Sequence, residues 1–131
     1  MKNSVRAIIT RGSEILLIHR VKPGDDYWVL PGGGVEPGED DHTAVIRECR
    51  EELGLRVQPM GLVDEVDLPE GGRRLYACQI TGGTLGTGDG PEYQPNGGYV
   101  GTHEPAWVPM KLVASLNFQP RDIQQLLLHH W

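Results

Sequence analysis

GGGVEPGEDDHTAVIRECREELGL, residues 32–55, decides how this chain reads. Three glycines follow Pro31, Pro37-Gly38 marks a turn, and Glu39, Asp40 and Asp41 supply the acids that favour a helix N-terminus. The pattern predicts a helix running to about Leu53, with Gly54 as its C-terminal stop. At helical spacing Val45, Ile46, Cys49 and Leu53 form the expected buried stripe, and Glu48, Glu51 and Glu52 share the neighbouring arc. Like charges at i, i+3 and i+4 repel by a few tenths of a kcal/mol per pair, roughly. The three acids are therefore either a solvated face laced with Arg47 and Arg50, or hard oxygen donors lining a cleft that takes Mg²⁺ or Mn²⁺. The glycines are a plain tight turn or a place where backbone approaches a ligand closely. They fit neither a phosphate loop, since no Gly-Lys-Ser/Thr follows, nor the dinucleotide GxGxxG spacing.

Outward from this stretch, Val5–Ile9 and Glu14–His19 read as strands joined by a turn at 11–13. The second is apolar almost throughout, which predicts burial on both faces. Tyr27–Leu30 is a short strand, Leu55–Leu68 an extended segment, and Gly71-Gly72 the turn into a partner over Arg73–Ile80. Residues 81–102 hold eight glycines and read as a functional loop. Ala106–Val108 is a last strand, and Pro120 opens a terminal helix with Ile123, Leu126 and Leu127 inward.

The 131 residues suggest one domain over 1–131, with 38% apolar and 23% charged residues. The net charge of −6 argues against a phosphate-gripping nucleic-acid surface. Cys49 and Cys78 sit in apolar patterns and read as core residues. No segment is long and apolar enough to span a membrane and no leader stands out, so a cytoplasmic, membrane-free protein is expected.

As a unit the stretch is Gly33, five residues, Glu39, seven residues, then Arg47-Glu48-Cys49-Arg50-Glu51-Glu52-Leu53-Gly54-Leu55. This resembles the signature of the Nudix hydrolases, GX5EX7REUXEEXGU with U a bulky apolar residue; Cys49, apolar but small, takes the first U. The resemblance implies an α/β/α sandwich with a mixed central sheet and a loop–helix–loop catalytic motif. It implies Mg²⁺ or Mn²⁺ held by Glu48, Glu52, Glu51 and the carbonyl of Gly33, with Arg47 and Glu39 holding the carboxylates in place. It implies hydrolysis of a pyrophosphate bond in a nucleoside diphosphate linked to another group, a nucleotide or nucleotide sugar. The competing reading is a non-catalytic nucleotide-binding regulatory module on the same fold. The general base stays open among Glu48, Glu51, Glu92 and Glu104. Arg20 is a candidate phosphate contact, Glu92 and Glu104 are candidate further acids, and Tyr93 and Tyr99 are candidates for stacking on a base or for anchoring their loop. A small nucleotide is the expected partner, and the homodimer is a frequent assembly in the family.

Overall fold

The computed structural model describes residues 3–95, 97, 98 and 100–131. Tyr99, one of the stacking candidates, lies outside them. Its strands are β1 (Ser4–Ile8), β2 (Thr10–Arg11), β3 (Glu14–Lys22), β4 (Asp25–Val29), β5 (Gly32–Gly34), β6 (Leu55–Leu68), β7 (Gly71–Gly83) and β8 (Thr102–Pro109). Its helices are α1 (Asp41–Leu53) and α2 (Arg121–His130), with short 3₁₀ turns at Pro91–Tyr93 and Met110–Ser115.

A mixed sheet runs β5-β1-β7-β6, in which β1 and β7 are parallel and the other neighbours antiparallel. A second, antiparallel sheet is built on β3, which pairs with β2, β4 and β8. The apolar run of β3 is buried on both faces. Leu16 and Ile18 pack with Val45, Cys49 and Leu53 of α1, while Ile15 and Leu17 pack with Ile123 and Leu127 of α2. The helices therefore cover opposite faces, as a sandwich requires. Each fully buried Leu or Ile contributes about 1.5–3 kcal/mol relative to exposure.

α1 begins where its acids predict. Asp40 is the cap, accepting from the Thr43 N–H at 2.8 Å, and Gly54 ends the helix at φ 74°, donating its N–H to the Arg50 carbonyl. The buried stripe, however, lies further round than expected: Ala44 is buried and Ile46 is 40% exposed. Counting only large apolar residues missed Ala44, and with it the fact that Glu52 sits in the middle of the buried face.

Three other boundaries differ from expectation. Gly32–Gly34 is a strand, because its backbone pairs with β1 although its residues carry no side-chain pattern. The β6–β7 turn is Pro69-Glu70, and Gly71 already pairs with Leu68. The glycine-rich loop is shorter than 81–102, since β7 runs to Gly83 and β8 starts at Thr102. Among the described residues no helix is long and apolar enough to cross a membrane.

Candidate active site

Two of the three glycines are places where a side chain would not fit, one against a carboxylate and one against the neighbouring strand. A Cβ on Gly33 would stand 2.6 Å from the Glu48 carboxylate, and one on Gly32, at φ 145°, would stand 2.0 Å from the Val5 carbonyl oxygen. The Gly32 N–H donates to Glu52 Oε1 at 2.6 Å. β5 thus lies directly against the carboxylate face of α1.

Arg47 ties the rest of that face together. Its Nε and Nη2 form a bidentate pair with Glu39 at 2.8 and 2.9 Å. Nη1 reaches Glu48 Oε1 at 3.0 Å and Glu51 Oε2 at 3.2 Å, and Nη2 also donates to the Gly34 carbonyl at 3.0 Å. One guanidinium fork therefore fixes three carboxylates and the glycine strand, a geometry that an ammonium could not reproduce. Those carboxylates hold the Arg47 guanidinium above its ordinary value, Glu39 most of all.

Glu52 is 8% exposed. Burial pushes its carboxyl up to about 8, nearby Glu48 adds to the rise, and Arg6 and the Gly32 N–H oppose it. Glu48 is raised too, again chiefly by burial, with Arg47 opposing.

The loop after β7 carries a third acid to them. A helix end leaves carbonyls without intrahelical partners, and here the loop supplies their donors. The Gly86 N–H bonds the Leu53 carbonyl at 3.0 Å, the Gly90 N–H bonds the Glu51 carbonyl at 2.9 Å, and the Tyr93 hydroxyl donates to the Glu52 carbonyl at 2.5 Å. The close fit needs glycine: a Cβ on Gly88 would lie 2.4 Å from the Glu51 carbonyl oxygen. Glu92 is thereby placed beside Glu51 and Glu48. Burial raises its carboxyl, with Glu51 adding, and its Oε1 is buried without a hydrogen-bond partner among the described residues.

These groups open onto a cleft of about 580 Å³, within the range of small-molecule sites. Of the residues singled out in the sequence, Glu48, Glu52, Gly33, Arg20 and Glu92 line it. Arg47, Glu39 and Glu51 stand behind that lining in one hydrogen-bonded cluster. Tyr93 is not among the lining residues; its hydroxyl is spent on the Glu52 carbonyl and its ring stands edge-on to His103, so it anchors the loop rather than stacking a base. Glu104 lies exposed on β8 opposite His19, away from the cleft. The sequence reading missed Arg6 and Arg73, which also line the cleft. The available signal was Arg6 itself, a charge in the otherwise apolar run Val5–Ile9.

The donor set suits a hard divalent cation. Buried Glu52, partly buried Glu48 and an orphaned Glu92 oxygen share one cleft, and mutually repelling carboxylates of this kind are relieved by a cation. Among the described residues no three acidic, His or Cys side chains form a ready cage.

The fold and the site define an α/β domain with a carboxylate-lined, glycine-edged cleft. The model of the NUDIX domain matches residues 1–127, and the chain belongs to the Nudix family. It is 36% identical over 93 residues to an ADP-ribose pyrophosphatase of Methanocaldococcus jannaschii, a match covering 66% of this chain and 55% of that protein. It is 47% identical over 53 residues to a CTP pyrophosphohydrolase of Escherichia coli, covering 39% of each. The matches thus span about half or less of those curated relatives. A NUDIX hydrolase from Nitrosomonas europaea superposes with a TM-score of 0.75 at 19% identity, over 98% of this chain and 87% of that one, which shows the shared fold.

Proposed function

We propose that the chain is a divalent-metal-dependent pyrophosphohydrolase acting on a nucleoside diphosphate linked to another group. The observation that carries this reading is the convergence of partly buried Glu48 and buried Glu52 on one cleft, with glycine backbone laid against both. Glu48, Glu52 and the Gly33 carbonyl would hold Mg²⁺ or Mn²⁺, which when bound would polarise phosphoryl oxygens and acidify water. An acidic protein that binds polyphosphate is consistent with such an ion, and the named relatives handle nucleotides of this class.

Glu92 is the base we assign. Glu48 and Glu52 are committed to the cation and Glu51 is tied to Arg47, which leaves Glu92 as the cleft carboxylate with an unpartnered oxygen. Glu92 takes one proton from water as the water oxygen bonds to phosphorus. The anhydride P–O bond breaks, its electron pair leaves with the departing phosphate, and Glu92 releases the proton to solvent. Arg47 holds Glu48 in place throughout, and the loop tied to the Glu52 carbonyl holds Glu92.

The test is formation of nucleoside monophosphate from a panel of nucleoside diphosphate derivatives in Mg²⁺ and in Mn²⁺, with Glu52→Gln beside the parent. The parent turns over a nucleoside diphosphate derivative and the variant does not. Tight nucleotide binding by the parent without turnover would contradict the reading.

A further inference from the structure

The cleft has a basic end that pyrophosphate chemistry alone does not explain. On the parallel pair β1/β7 the register places Ser4 opposite Arg73 and Arg6 opposite Leu75. Alternate residues share a face, so Arg6 and Arg73 project from the same side of the sheet. On the other side of β1, Arg6 is opposite Gly32, whose N–H holds Glu52. The order across the sheet is therefore Glu52, Gly32, Arg6, then Arg73. Beyond Glu48 and Glu52 the cleft is lined by Arg6 and Arg73, with Glu70, also in the lining, 3.7 Å from Arg73.

These arginines differ from three others in the chain. Arg47, Arg74 and Arg11 all hydrogen-bond carboxylates. Arg73 reaches the Gly71 and Gly72 carbonyls, with Glu70 no nearer than 3.7 Å. Arg6 donates to the Leu30 carbonyl, and its buried Nε has no partner among the described residues. Arg20, on the facing wall, bonds the Tyr27 hydroxyl and the Val100 carbonyl and likewise leaves a buried Nε unpaired. Burial holds the Arg6 guanidinium below its ordinary value, Glu52 opposes the fall, and the like charge of Arg73 adds to it. Unmade hydrogen bonds on buried guanidinium groups are costly, and guanidinium forks match phosphate and carboxylate bidentately. A pocket built for a neutral base would instead be mainly apolar and aromatic.

We propose that the substrate carries a second anionic group, a phosphate or carboxylate outside its pyrophosphate, and that Arg73, supported by Arg6, binds it. This rests on the pyrophosphohydrolase reading above and names its substrate class. The anionic group sits either on the nucleoside or on the group linked to it, and two matched pairs separate these sources. UDP-glucuronate and UDP-glucose differ by a carboxylate on the linked sugar. ADP-ribose 2′-phosphate and ADP-ribose differ by a phosphate on the nucleoside.

The experiment measures kcat/KM in Mg²⁺ for all four compounds, and their equilibrium binding in EDTA, where nothing turns over. The parent protein favours the anionic member of one pair by about tenfold or more, the scale of a charge-assisted hydrogen bond. Arg73→Gln reduces that ratio towards one and Arg73→Lys keeps part of it, with unfolding temperatures confirming that both variants fold. Equal treatment of both members in both pairs, or a preference that survives Arg73→Gln, would overturn the proposal; the arginines would then only balance the glutamates. Absence of turnover on all four compounds bears on the hydrolase reading alone, since the binding ratios in EDTA still decide this one.

Discussion

Asp41 and Glu52 stand near opposite ends of the same helix, and the protein treats their charges in opposite ways. Asp41 accepts from Arg74 Nη2 at 2.6 Å, from Arg74 Nε, and from the Tyr76 hydroxyl at 2.7 Å. The Arg74 guanidinium beside it holds its carboxyl below the usual range. Glu52 is more deeply buried, accepts one hydrogen bond among the described residues, from a neutral amide, and is pushed up to about 8. The arginines divide in the same way. Arg73 and Arg74 are adjacent on β7, yet Arg74 locks α1 to the sheet while Arg73 faces the cleft without a hydrogen-bonded acid. Satisfied charge marks the scaffold here, and unsatisfied charge marks the site.

That contrast can be broken at several points. Outside the two acids just compared, the largest effect is expected at Glu92. Glu92→Gln keeps the side-chain shape and removes the base, so kcat in Mg²⁺ falls by about 10²–10⁴-fold while the unfolding temperature stays within error of the parent. A variant with parental kcat would return the base assignment to Glu48 or Glu51.

Arg47→Lys comes next. One ammonium cannot serve Glu39, Glu48, Glu51 and Gly34 together, so metal affinity or activity falls by about 10–100-fold. Titration of Mg²⁺ against turnover checks this. An unchanged half-saturating Mg²⁺ concentration together with unchanged kcat would show that Arg47 does not position the carboxylates.

The scaffold side is tested by acid. The Asp41 carboxyl titrates below its unfolded value of about 3.9, so its contribution is complete above that value and is lost as pH falls through the folded one. Urea unfolding between pH 2 and 5 is then less pH-dependent in Asp41→Asn than in the parent. Identical slopes would remove Asp41 from the account. The smallest effect is expected for Tyr93→Phe, which deletes one hydrogen bond to the Glu52 carbonyl and lowers stability by about 0.5–1.5 kcal/mol. If the loop depends on that bond, the KM for nucleotide also rises.

Much of this division could be read from the sequence, but not all of it. The cap at Asp40, the stop at Gly54, the doubly buried β3 and the carboxylate motif follow from local rules: side-chain chemistry, φ freedom and periodicity. Gly32–Gly34 could not be read as a strand, because glycines carry no facial pattern and only pairing with β1 defines them. The choice between Glu92 and Glu104 rested on tertiary anchoring of a loop to the carbonyls at the end of α1. The faces of Arg73 and Arg74 followed from the β1/β7 register, which joins residues about seventy positions apart. Glu52's central place on the buried face depended on small Ala44, which a search for large apolar residues passes over.

The most direct test crosses the two acids. Glu52→Gln and Asp41→Asn are each measured for Mg²⁺-dependent nucleotide hydrolysis and for unfolding free energy in chelator. Gln at 52 keeps the oxygen that accepts from Gly32 and replaces a carboxyl whose ionisation burial opposes, so stability is held or gained while activity is lost. Asn at 41 weakens the link to Arg74, so stability falls by about 1–2 kcal/mol while kcat is largely kept. An active Glu52→Gln variant, or an Asp41→Asn variant that loses turnover and keeps its stability, would contradict the account.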